Sequence, residues 1–277
     1  MRITRALVLV FAAAIAAPAT ADKSIVSALP GDPDLRSASA IVLDGDGNII
    51  FGKDVDSVRS VASITKLMTA MVVLDAGLDL DEKLTIRSAD RDLIRMTGSR
   101  LEVGATLTRR ELILLSLMSS ENRAATALGR THPGGMDNFI AQMNKKAKAL
   151  GMTNSRFSDP AGLRTENLST ASDLAIMISA ARTYPLITQS TTTVREEVQP
   201  YSRRGPLSYG NTNRLLKNAD WDIELSKTGF IRDAGRCLVM MANIDGEEIS
   251  IVLLNSFGKL TPFGDSNRLR KWMMASS

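Results

Sequence analysis

Ser63 and Lys66 lie three residues apart at the start of an apolar run that continues through Leu67, Met68, Ala70, Met71, Val72, Val73 and Leu74 and stops at Gly77. Residues i and i+3 share one face of a helix, so the spacing predicts a lysine amine beside a serine hydroxyl. A serine is a weak nucleophile until a neighbouring base takes its proton. The chain holds a single histidine, His132, so lysine is the leading candidate for that base. Two further clusters can complete the chemistry. Ser120-Glu121-Asn122 interrupts an apolar helical pattern with poor helix formers: Ser120 can relay a proton, and Asn122 can hold both the lysine and a substrate amide. Lys227-Thr228-Gly229 offers a cation and a hydroxyl for a carboxylate, and a glycine that lets another backbone come close.

A lysine base must be uncharged part of the time, although a free lysine has a pKa of ~10.4. Burial and the second cation, Lys227, would both lower that value, and three pH units of depression correspond to ~4 kcal/mol. Other chemistries fare worse. One histidine and one cysteine cannot build a credible metal site, so neither a metal nor another cofactor is expected. The segment Asp44-Gly45-Asp46-Gly47-Asn48 superficially resembles a calcium loop, but Ile49 stands where that loop needs glycine and Val55 where it needs glutamate. It reads instead as a tight turn between strands. His132, in Arg130-Thr131-His132-Pro133, reads as a loop residue. Cys237, in an apolar run, reads as a buried strand residue.

The elements that must position these groups follow from pattern. Ala40–Leu43 and Ile49–Phe51 predict an antiparallel pair. Glu111–Met118, apolar nearly all round, predicts a buried helix, resumed over Ala124–Leu128. Met136–Leu150 predicts a helix ending at Gly151, and Ala171–Ala181 one capped by Ser169 or Thr170. The last third returns to strands: Ile223–Thr228 with Lys227 at its end, then a hairpin of Leu238–Ile244 and Ile249–Leu254, and a closing helix over Asn267–Met274. Strands at both ends with helices between predict an α+β fold, in which one antiparallel sheet lies beside a helical lobe and the active cleft runs between them.

At the amino terminus, Arg2 and Arg5 precede an apolar stretch from Ala6 to Ala17 and the small-residue pattern Ala19-Thr20-Ala21. This predicts a secretory signal over residues 1–21, too short for a comfortable membrane span, and a mature protein from Asp22 that works in a bacterial periplasm without a transmembrane anchor. Those two arginines count among 34 basic residues set against 30 acidic ones, so the remainder is nearly balanced. With no basic run interleaved with aromatics, nucleic acid is not an expected partner. Residues 22–277, 44% hydrophobic over the whole sequence, suffice for one catalytic domain of two lobes.

Ser63-Ile64-Thr65-Lys66, Ser120-Glu121-Asn122-Arg123-Ala124-Ala125, Lys148-Ala149-Leu150-Gly151-Met152, Phe157-Ser158-Asp159-Pro160-Ala161-Gly162-Leu163 and Lys227-Thr228-Gly229 together resemble the low-molecular-mass penicillin-binding proteins, serine D-Ala-D-Ala peptidases of the S11 type. The likeness covers roughly residues 30–273. It implies a β-lactamase/transpeptidase-like fold, acylation of Ser63 by peptidoglycan stem peptides, hydrolysis of the acyl-enzyme, and covalent inhibition by β-lactams. It also implies an oxyanion hole built from the backbone N–H groups of Ser63 and Phe230. The short form and Glu121 in the second motif look more like DD-endopeptidases, which cut crosslinks, than like D-Ala-D-Ala carboxypeptidases. A β-lactamase would need an extra glutamate, and Glu166-Asn167-Leu168-Ser169 lacks that arrangement. A non-catalytic cell-wall binding protein would have no use for a serine–lysine pair.

Overall fold

A computed structural model describes residues 31–275; the segment read as a secretory signal lies outside the described residues. Strands β1 (Ser39–Leu43) and β2 (Ile49–Lys53) form the first hairpin. The short β3 (Arg59–Ser60) then leads through a 3₁₀ turn, Ala62–Ile64, into helix α1 (Thr65–Asp75). Next come β4 (Lys83–Thr85), β5 (Thr106–Thr108) and three helices, α2 (Arg109–Met118), α3 (Asn122–Arg130) and α4 (Gly135–Ala149). The chain continues through β6 (Leu168–Ser169), α5 (Ala171–Arg182), α6 (Pro185–Thr192) and the hairpin β7 (Arg195–Val198) and β8 (Leu207–Gly210). It ends with β9 (Asp222–Ile231), β10 (Gly235–Ile244), β11 (Glu247–Ser256) and α7 (Thr261–Met274).

The main sheet is five-stranded and antiparallel, in the order β2-β1-β11-β10-β9. The expected union of strands from both ends of the chain is present: Ser39 faces Leu254, and Leu43 faces Ser250. Alternation along β10 divides the sheet's side chains between two cores. Leu238, Met240 and Ala242 pack with Leu269 and Met273 of α7, whereas Val239 and Met241 join the cluster that includes α1 and α5. Both faces are therefore covered, which explains why β10 and β11 read as continuous apolar runs.

α1 is the axis of the helical part. Every residue from Thr65 to Val73 is buried, as expected of a helix that is apolar all round. α2 begins with a capping box: Thr108 Oγ1 accepts from the Glu111 N–H and the Glu111 carboxylate accepts from the Thr108 N–H. Of the two caps considered for α5, Thr170 holds the position and accepts from the Asp173 N–H. α4 ends where expected, with Gly151 at φ +82°. The Asp44 turn closes on itself, its carboxylate accepting from Asp46 N–H, Asn48 N–H and the Asn48 side chain.

Several boundaries differ from expectation, and two of them matter most. β9 runs on to Ile231, so Lys227 lies inside the strand rather than at its end. α7 starts at Thr261, with Pro262 and Gly264 inside its first turn; a proline there removes no needed hydrogen bond. Among the described residues no helix is long and apolar enough to cross a membrane.

Candidate active site

Three separate segments converge on one cleft of about 360 Å³ lined by Ser63, Ser120, Asn122, Thr228, Gly229 and Phe230, among others. Ser63 sits in the 3₁₀ turn just before α1, not in the helix itself. The turn is strained: Ala62 has φ +48°, a left-handed conformation that an alanine adopts only when its surroundings impose it. The Lys66 side chain, fully buried one turn on, donates to Ser63 Oγ at 2.9 Å, to Asn122 Oδ1 at 2.8 Å and to the Ala161 carbonyl at 2.5 Å.

Burial pushes the Lys66 pKa from 10.5 down to about 8, against the attraction of Asp159, then Glu121, then Asp92. The fall corresponds to about 3 kcal/mol at ~1.36 kcal/mol per pH unit. Depression was expected, but its restraint by three carboxylates was not. Lys227, also buried, donates to the Thr228 carbonyl at 2.9 Å. Its pKa is pushed well down, first by burial and then by the Lys66 charge.

The second motif is shaped by backbone strain. Ser120 has φ +60° between the end of α2 and Glu121, which caps α3 by accepting from the Arg123 N–H. The reversal brings Ser120 to the cleft wall, although no hydrogen bond joins it to Lys66 among the described residues. Asn122 is held from its other side, where its Nδ2 donates to Thr97 Oγ1, which donates in turn to the Asp92 carboxylate. Lys66, Asn122, Thr97 and Asp92 thus form one connected chain.

In the third motif, Thr228 Oγ1 donates to Thr212 Oγ1 at 2.6 Å. Gly229 corrects the reason given for it. A Cβ there would lie 2.9 Å from the Val61 carbonyl oxygen and 3.3 Å from Ala62 Cβ, so the space a side chain would fill is occupied by the serine turn. The glycine joins β9 to Ser63's own segment rather than reserving that space for a guest.

Sequence reasoning missed the residue that organises the loop on which Lys66 rests. The Asp159 carboxylate, 9% exposed, accepts from the backbone N–H groups of Ala161, Gly162, Leu163 and Arg164 and from Asn167 Nδ2. It fixes the loop whose Ala161 carbonyl receives Lys66. The signal was present in Asp159-Pro160-Ala161-Gly162, because an Asx residue ahead of small turn residues folds over its own backbone. Thr97 and Thr212 carried no signal.

Other groups stand apart. His132 is buried against Phe139 with Nδ1 on the Pro133 carbonyl, and it does not line the cleft. Glu166 is exposed and also outside the cleft wall. Cys237, by contrast, touches the cleft wall from β10, where it is buried, and burial raises its thiol pKa to about 11. Among the described residues no group of three or more His, Cys, Asp or Glu side chains could hold a metal ion.

An antiparallel sheet, a Ser–Lys pair at the entry to a buried helix, and a cleft between sheet and helices define the penicillin-binding, DD-transpeptidase architecture. The crystal structure of the Streptomyces K15 DD-transpeptidase superimposes with a TM-score of 0.81 at 27% identity, over 89% of this chain and 100% of that one. The chain belongs to the D-alanyl-D-alanine carboxypeptidase family, peptidase S11, whose pattern matches residues 26–258. It is a serine-type DD-peptidase, a hydrolase. It is 43% identical over 273 residues to a D-alanyl-D-alanine endopeptidase of Pseudomonas aeruginosa, covering 98% of this chain and 88% of that protein. It is 44% identical over 259 residues to one of Escherichia coli, covering 93% and 83%. A D-alanyl-D-alanine carboxypeptidase of Bacillus subtilis, DacF, is more distant, at 32% over 235 residues.

Proposed function

We propose that residues 22–277 form one two-lobed catalytic unit that works in the periplasm as a DD-endopeptidase, cutting D-alanyl crosslinks of peptidoglycan through an acyl-enzyme on Ser63. The observation that carries this reading is Lys66 Nζ, 2.9 Å from Ser63 Oγ, with its pKa lowered to about 8. In its neutral form it can accept the hydroxyl proton as Oγ bonds to the D-alanyl carbonyl carbon. The N–H groups of Ser63 and Phe230 would then face the oxyanion, where one such donor contributes ~3 kcal/mol in other enzymes. As the C–N bond breaks, the proton passes from Lys66 through Ser120 to the leaving amine. Water then adds to the ester, Lys66 takes its proton, and Ser63 leaves with that proton restored.

Asn122 holds Lys66 and a substrate amide. Lys227 and Thr228 receive the carboxylate on the leaving side, and Gly229 lets β9 pack against the serine turn beside them. A bound carboxylate would oppose the lowering of the Lys227 pKa by favouring its charged form. β-Lactams, as strained acyl donors, would trap Ser63 as a slowly released adduct. The exposed position of Glu166 disfavours the fast deacylation of a β-lactamase. The endopeptidase reading, rather than carboxypeptidase, rests on the higher identity to the two endopeptidases.

Purified crosslinked muropeptide dimers, followed by mass, test the proposal. Dimers should become monomers, with no adduct on Ser63→Ala after fluorescent penicillin. Loss of a terminal alanine with intact dimers would make the enzyme a carboxypeptidase, and absence of both products and adduct would overturn the reading altogether.

A further inference from the structure

The wall of the cleft beyond the three motifs carries Arg214, Arg236 and Lys259, and no aspartate or glutamate lines it. None of these three cations has an ion-pair partner among the described residues. Arg214 and Lys259 are exposed, but Arg236 is partly buried, and elsewhere most of the partly buried guanidiniums are paired: Arg59 with Asp54, Arg95 with Asp233, and Arg130 with Asp90. Their positions follow from the fold. Arg214 starts the 3₁₀ turn just after Thr212, whose hydroxyl receives Thr228. Arg236 faces Phe230 across the β9–β10 ladder, and its guanidinium lies 4.0 Å over the Phe230 ring. Among the described residues that guanidinium has no ion-pair partner beside the ring. Lys259 closes the far side, in the exposed loop before α7. With Lys66 and Lys227, whose pKa values burial lowers, five basic side chains stand in or beside one cleft of a chain whose charges are nearly balanced overall. Like charges gathered this way repel, and an anionic occupant removes the repulsion.

Building on the DD-peptidase reading above, we infer that Arg214, Arg236 and Lys259 are specificity-determining residues that read carboxylates on the substrate beyond the one assigned to Lys227. The enzyme therefore selects acidic peptides, with free side-chain carboxylates next to the D-alanyl pair, over the same peptides with those groups amidated. An Arg fork suits this task because it grips a carboxylate through two N–H bonds and distinguishes it from a carboxamide.

The test uses two synthetic crosslinked peptides, each joined through a D-alanyl bond, that differ in one side chain next to that bond, a carboxylate in one and its carboxamide in the other. Hydrolysis of each is measured by mass at low and high salt. Wild type should favour the carboxylate by about five- to tenfold in kcat/KM, the scale of two or three partly exposed charge pairs. High salt should erase most of that preference. The ratio, taken within one variant, cancels any general loss of activity, and it should fall toward one in Arg236→Gln and Arg214→Gln. The salt series on wild type reads the same effect without any variant. Equal rates for the two peptides, or a preference that survives both salt and the double substitution, would overturn the inference while leaving the peptidase assignment standing. Cleavage of neither peptide, with no penicillin adduct, would remove the reading beneath it as well.

Discussion

Gly162→Ala is the sharpest single test of how the site is held. Gly162 sits at φ +75°, and a Cβ built on it would lie 1.9 Å from the Ala62 carbonyl oxygen, 2.3 Å from its carbon and 2.9 Å from Ser63 N. These are backbone atoms and cannot swing aside. The left-handed conformation alone costs an alanine ~1–2 kcal/mol. Forcing a methyl into a packed contact adds ~1–3 kcal/mol. The substitution should therefore destabilise the protein by about 2–5 kcal/mol, read from urea unfolding. Whichever side yields, the separation between the Asp159 loop and the serine turn must grow. That disturbs Lys66, which now bridges Ser63 Oγ and the Ala161 carbonyl. A misplacement near 1 Å costs ~10²-fold in rate, so acylation by fluorescent penicillin, followed by stopped flow, should fall by about that factor. Gly151→Ala is the control. Gly151 has nearly the same φ, +82°, but open space where its Cβ would go. It should lose only the conformational cost of ~1–2 kcal/mol and acylate normally. A Gly162→Ala protein that acylates at the wild-type rate would refute the close approach and the reasoning built on it.

Two other expectations concern Lys66. A base with a pKa of about 8 is mostly charged at pH 6 and mostly neutral above 8. The second-order acylation constant should thus rise about tenfold per pH unit below that value and level off above it, and a flat profile across the acid limb would count against lysine as the base. Asp159→Ala should unfold ~3–5 kcal/mol more easily, because a buried charge-assisted cluster is lost, and should acylate more slowly as the Ala161 carbonyl drifts; urea unfolding and the same stopped-flow assay check both. Unchanged acylation would show that the loop needs no such anchor.

How far the residues announced the fold depended on whether a local rule or a distant neighbour decided each one. The motif serines and lysines were legible because their order and setting constrain one chemistry. Helix α1 was legible because an unbroken apolar run has only an interior to go to. The end of β9 was misread at Gly229, since glycine usually weakens a strand; the structure keeps it there for the approach of Val61, a residue far away in sequence. The start of α7 was missed because Pro262 and Gly264 look like loop residues and are tolerated only in a first turn. The short pairings β3–β6 and β7–β8 are too brief to show an alternating pattern. Asp159 lay within a segment singled out for its likeness to a family. Its turn was readable as an Asx residue ahead of small residues, but not its reach, because only the folded loop gathers the five N–H groups it accepts from.

β9 is one of the two edge strands of the sheet, and the cleft lies beside it. A peptide lying extended there would act as a sixth rung, gripped by main-chain amides whatever side chains it carries. If such a guest is also esterified to Ser63, it becomes a clasp between strand and helix α1. Inhibited protein should then melt at a higher temperature than free protein, a rise that would report how firmly the drug spans the two halves.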